Sequence, residues 1–228
     1  MSTDLSRSEL AAHAERVRKE FEETFRSFVE VPSVSMDPER KPDIQRMSDL
    51  AQATLRGMGA DVQVIATKGN PIVHGRFHRG DGLPTVTVYN HMDVQPAGEP
   101  EWITEPFRFT VKDGRYFGRG TTDDKGPALA ALYGARAAVD AGARANVHFL
   151  WELEEEIGSP SFEAAIQKEA SALATDSVVV SDTVWIARGK PACPAGLRGL
   201  QGLLLRLETG TTDQHSGTAG GAARNPLA

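Results

Sequence analysis

Phe21, Phe25 and Phe28 recur at helical spacing behind a polar, charged start. The pattern predicts an amphipathic helix from Leu5 to about Val29, ending before Pro32, with the aromatic stripe as core. Lys41-Pro42-Asp43 opens a second helix, with Ile44, Met47, Leu50, Ala51, Leu55 and Met58 on one face and Gly57 and Gly59 closing it. The period then falls to two. Val62–Ile65, Ile72–Phe77 and Thr85–Tyr89 predict short strands, separated by Lys68-Gly69-Asn70-Pro71 and Arg79-Gly80-Asp81-Gly82. A hairpin is expected over Phe107–Val111 and Arg115–Phe117 around Asp113-Gly114. An alanine-rich helix follows from Gly126 to Asp140, then a strand over Asn146–Trp151 and the acidic run Glu152–Glu156. A helix over Ser159–Ala172 and a buried strand over Ser177–Ser181 complete this part.

Strand and helix in alternation predict crossover connections and an α/β fold, a mixed and largely parallel sheet flanked by helices. From Arg198 the texture changes. Leu200–Leu207 reads as a strand, and Gly210–Ala223 is rich in Gly, Thr and Ala, which predicts a first domain over 1–195 and the start of a second over 196–228.

Composition narrows the functional classes. The 228 residues are 40% hydrophobic, enough to bury a core, and 25 Lys and Arg stand against 31 Asp and Glu, for a net charge of -6. That balance argues against a nucleic-acid or anionic-membrane surface. No apolar run approaches the roughly 20 residues of a membrane-spanning helix, and the charged first residues lack the apolar core of a secretory signal. Cys193 is the single cysteine, so no disulfide forms within the chain. A cytoplasmic protein is the expectation.

Polar residues directly after apolar strands carry most weight, because ligands of open α/β sheets bind beyond the carboxyl ends of strands. Thr85–Asn90 ends in His91-Met92-Asp93, Val147–Trp151 leads to Glu154-Glu155-Glu156, and Val178–Ser181 ends in Asp182. A fourth segment, Gly118-Arg119-Gly120-Thr121-Thr122-Asp123-Asp124-Lys125-Gly126, is a glycine-rich loop opening a helix. Its spacing is not that of a phosphate loop, and its adjacent aspartates repel phosphate. One imidazole among several carboxylates suits zinc, and Asp93 is placed to orient His91. Singly, each segment also reads as a hydrogen-bonded pair, a charge cluster or a cap.

Together they resemble the dinuclear zinc peptidase family that includes carnosinases, bacterial dipeptidases, aminoacylases and succinyl-diaminopimelate desuccinylase. The resemblance rests on Phe28–Ser35 (FVEVPSVS), His91–Pro96 (HMDVQP), Trp102–Phe107, Tyr116–Pro127 (YFGRGTTDDKGP), Glu154–Ser159 (EEEIGS), Ser181-Asp182, Gly196–Gly199 and Gln214–Gly217 (QHSG), and the carnosinase-like branch fits best. It implies a catalytic domain of the zinc exopeptidase type followed by the start of a lid and dimerisation domain. It also implies that His91, Asp123 and Asp182 hold one zinc, that Asp123 bridges to a second held by Glu156, and that Asp93 orients His91. Glu155 is implied as general base, and His215 as a residue that reaches the substrate from the lid, often from a partner subunit, to stabilise the oxyanion. A cis peptide between Asp123 and Asp124 is implied as well. His13, His74, His78 and His148 are read as structural or solvated.

In the family, Asp at the position of Asp182 accompanies dipeptidase and aminopeptidase activity. The expected function is therefore hydrolysis of dipeptides by two zincs, with Mn or Co as possible substitutes, in a full-length homodimer. An N-acyl amino acid amidohydrolase and an inert metal-binding fragment are the alternatives. Family members are longer and take a further histidine ligand from beyond the lid. No unused histidine follows His215, so this chain is expected to be a truncated, inactive part of the enzyme.

Overall fold

The computed structural model describes residues 6–183, together with 186, 187, 189, 190, 192, 194, 196, 199 and 201–206. The chain divides into a unit over Met1–Ala192 and another over Cys193–Ala228.

Helix α1 runs over Arg7–Val29 and starts in a capping box, in which the Ser6 hydroxyl accepts from the Glu9 amide and the Glu9 carboxylate accepts from the Ser6 amide. Helix α2 spans Lys41–Gly57 with proline in its first turn, where no intrahelical donor is lost. Strands β1 (Asp61–Ile65), β2 (Ile72–Phe77) and β3 (Thr85–His91) follow. The hairpin strands β4 (Thr110–Lys112) and β5 (Arg115–Phe117) turn through Asp113 at φ 52° and Gly114 at φ 68°. Consecutive positive φ values match the twist of a two-residue hairpin. Then come α3 (Lys125–Asp140), β6 (Asn146–Glu152), α4 (Phe162–Lys168) and β7 (Ser177–Val180).

The main sheet has five strands in the order β1-β2-β6-β3-β7. It is mixed: β6-β3 and β3-β7 are parallel, while β1-β2 and β2-β6 are antiparallel. The main core lies between one sheet face, carrying Val73, Val88, Val147, Phe149 and Trp151, and residues of α1, α2 and α3. The aromatic stripe of α1 belongs to it. Phe25 packs on Phe109 and Tyr116, and Phe28 meets Trp151 edge-on at 6.1 Å. On the other face α4 covers a smaller cluster of Ile65, Ile72, Leu150 and Ala165.

Three expectations change. Strand β7 is not buried: Ser177, Val178, Val179 and Val180 are all exposed, because β7 forms the edge of the sheet and no described element covers it. Helix α4 is shorter than Ser159–Ala172. Gly158 and Ser159 both hold positive φ, and the helical backbone starts only after Ser161. The strand expected over Leu200–Leu207 does not form in its described part, 201–206, which is irregular and exposed. No described helix is long and apolar enough to cross a membrane.

Candidate metal centre

Register brings the chemistry to one edge. In the parallel pair β3-β6, His91 lies opposite Glu152, so Glu154, Glu155 and Glu156 start just past the level of His91. In the parallel pair β3-β7, Tyr89 lies opposite Val180, and two further residues on each strand bring His91 level with Asp182. Asp123 arrives on the loop that opens α3, whose peptide to Asp124 is cis.

His91, Asp123 and Asp182 each offer a ligand atom, and these atoms lie within 4.8 Å of one another. His91 Nε2 is 2.8 Å from Asp123 Oδ1, 3.8 Å from Asp182 Oδ2 and 3.9 Å from Glu155 Oε2. The other ring nitrogen, Nδ1, faces the Asp93 carbonyl oxygen at 3.1 Å and its carboxylate at 3.4 Å, which leaves Nε2 aimed at the acids. Asp93 is fully buried. Its two carboxylate oxygens accept the amides of Glu155 at 3.2 Å and Glu156 at 3.1 Å, so a single side chain orients the imidazole and holds the acidic turn.

The charges at this point are unbalanced in one direction. Burial works against protonating His91, yet the hydrogen bonds of Asp123 and Asp93 outweigh it and hold the imidazole up at about 11. Asp123 is lowered by its bond to His91. Burial raises the carboxyls of Glu155, Glu156 and Asp182, and like charges nearby add to each rise. The cluster therefore stabilises positive charge at the point where its atoms converge. A divalent cation meets that demand more fully than one proton, and a nitrogen with several carboxylate oxygens is a donor set that zinc accepts.

Several residues that the sequence did not single out hold this arrangement. Gln95 Nε2 donates to Glu156 Oε2 at 2.6 Å. Asn90 Nδ2 donates to Asp124 Oδ2 at 2.8 Å and to the Ser181 carbonyl at 2.9 Å, tying the loop before α3 to the end of β7. Burial pushes the Asp124 carboxyl up to about 8, against the pull of the Asn90 bond. Lys125 is fully buried and donates to the carbonyls of Phe28 at 2.9 Å and Val31 at 2.7 Å. Asn90 and Asp124 adjoin His91 and Asp123 in the sequence, and for them adjacency was the one signal available; Gln95 and Lys125 had none. His215 lies outside the described residues, as does Cys193.

The sequence pattern of Peptidase family M20/M25/M40 matches residues 87–195, which hold His91, Asp93, Asp123, Glu155, Glu156 and Asp182. Over 93% of its length the chain is 35% identical to the Cys-Gly metallodipeptidase dug1 of Schizosaccharomyces pombe, and over 92% it is 33% identical to the Beta-Ala-His dipeptidase of Homo sapiens. The chain belongs to the M20 peptidase family. Within it the match is to the branch of the carnosine and Cys-Gly dipeptidases. Among solved structures, the dipeptidase Dug1p of Saccharomyces cerevisiae superposes with a TM-score of 0.74 at 26% identity, covering 95% of this chain and 49% of that one. Human carnosine dipeptidase 1 gives 0.69 at 31% identity, covering 77% and 41%. The chain spans about half the length of the M20 relatives it matches, 48% of dug1 and 45% of the human enzyme.

Proposed function

We propose that the whole protein is a zinc-dependent dipeptidase. The observation that carries this is the convergence of His91, Asp123 and Asp182, with Glu155 Oε2 from the acidic turn 3.9 Å from His91 Nε2. These three side chains would hold one metal; Asp123 would be shared with a second, held also by Glu156. A pair of divalent cations in such a site polarises the scissile carbonyl and lowers the pKa of water.

The chain's own residues do the rest. Glu155 is part-exposed, so its carboxylate can meet a water molecule. It takes the proton from that water as it attacks, then delivers it to the departing amine nitrogen. Asp93 keeps His91 in one tautomer and fixes the turn from which Glu155 projects. Gln95 holds Glu156. His215, from the segment 196–228 that we read as the start of a lid, would steady the oxyanion, from a partner subunit if the full protein is a homodimer. Dipeptides as the substrate class draw support from the names of the relatives and from aspartate at position 182. The lone cysteine supports a cytoplasmic setting.

The test uses the full-length protein. Metal content by mass spectrometry should give two zincs, and dipeptides should be hydrolysed. Glu155→Ala should remove turnover while leaving metal content unchanged. Unimpaired hydrolysis by Glu155→Ala would show that another group moves the proton.

A further inference from the structure

Glu154, the first glutamate of the acidic turn, is not among the groups that converge with His91, whereas its neighbour Glu155 reaches within 3.9 Å of His91 Nε2 and Glu156 is held by Asp93 and Gln95. It is 6% exposed, and its carboxylate is divided between two other segments. Oε1 accepts the Asn70 amide at 2.7 Å, and Oε2 accepts the Ser161 amide at 3.2 Å. Asn70 returns a bond, its Nδ2 donating to the Leu153 carbonyl at 2.8 Å. The segment so gripped is the turn between β1 and β2, itself closed by Thr67 Oγ1 donating to the Asn70 carbonyl at 2.7 Å.

Gly69 marks how tight the grip is. A Cβ built on Gly69 would lie 1.8 Å from Glu154 Oε1. Its φ is not positive, so glycine serves there for space and not for conformation. The acidic turn is thus held from two directions, by Asp93 through the amides of Glu155 and Glu156, and by Glu154 through the β1-β2 turn and the start of α4.

We propose that Glu154 is a positioning residue for the second metal position, fixing the direction in which Glu156 leaves the backbone without touching the metal itself. This rests on the reading of Glu156 as a ligand. The effect is selective because of where the contacts run. The first position draws on β3, the loop before α3 and the end of β7, none of which the Glu154 side chain bonds. Glu156 lies two residues away on the same turn.

Chelator competition against the zinc-loaded, full-length protein reads the two affinities separately. Glu154→Ala and Gly69→Ala should each weaken the second position by about tenfold or more, the scale on which residues behind a ligand act. The first should stay within about threefold. The double variant should fall short of the sum of the singles, because both act on one contact. Glu154→Gln, which keeps one acceptor oxygen, should lose less than Glu154→Ala. A lowered melting temperature with the ratio of affinities unchanged would overturn the positioning role and leave Glu154 as a structural clamp. A wild-type protein that takes up a single zinc would overturn the two-metal reading itself, and this inference with it.

Discussion

A carboxylate withdrawn from water is costly unless its oxygens are answered by donors, and Asp93 answers with two backbone amides and an imidazole. Asn at this position presents an amide nitrogen where one of the backbone amides now donates. Asp93→Asn is therefore expected to destabilise the fold by about 1 to 3 kcal/mol in urea titrations and to weaken zinc binding by roughly 10- to 100-fold. His74 makes a prediction of the opposite kind, away from the metal. It is fully buried, packs edge-on against His148, and neither ring nitrogen has a hydrogen-bond partner. Burial, with His148 and Arg76 nearby, lowers its pKa from 6.5 to about 4. Below pH 6.5 the unfolded chain takes up a proton that the folded chain refuses, so stability falls as pH drops from 6.5 to about 4 and then levels. The full drop amounts to about 3 kcal/mol. His74→Leu should flatten this limb, measured as the urea midpoint at pH 5 against pH 7.5.

Elements with a strong local period were legible and those defined by their neighbours were not. The stripe Phe21, Phe25, Phe28 and the series from Ile44 to Leu55 name a buried helix face unaided, and Asp113-Gly114 names its turn. The valines of β7 look like core in sequence, but burial depends on what lies over the strand, which no local pattern reports. Leu203, Leu204 and Leu205 have the composition of a strand, yet 201–206 is irregular and exposed, and a strand depends on pairing that no local pattern reports. The convergence of His91, Asp123 and Asp182 was legible because polar residues after a strand or in a glycine-rich loop are a local signal; the residues around them, Gln95, Asn90 and Lys125, act across the fold and carry no such mark. Lys125 joins the end of α1 to the start of α3 through two carbonyls. Lys125→Met keeps the stem and removes those bonds, which should cost about 1 to 3 kcal/mol by chemical denaturation. Gly126, one residue on, has the Thr121 carbonyl oxygen 2.1 Å from where a Cβ would stand. Gly126→Ala should displace the loop bearing Asp123 and lower zinc affinity even if the helix survives.

For the molecule as a whole, counting ligands decides what 228 residues can do. On the proposed reading the first metal position would draw on His91, Asp123 and Asp182, which converge, and the second, among the described residues, on Asp123 and Glu156 alone. A metal held by two carboxylates dissociates readily, so residues 1–228 by themselves should retain at most one tight zinc and show little dipeptide hydrolysis. Mass spectrometry and a turnover assay on both lengths check this; robust turnover by the shorter chain would show that the ligand count is wrong. The convergence of residues 91, 123 and 182 on one point also has a kinetic side. Their side chains meet only after β3, the loop before α3 and the end of β7 have taken their places, a closure between residues 91 and 182 that we expect late in folding. A zinc bound there would grip the finished structure and not the transition state on the way to it. Added zinc should leave the refolding rate in stopped-flow unchanged and slow unfolding by nearly the whole factor of its equilibrium stabilisation. Chelation would shorten the lifetime of the folded chain without making it any slower to form.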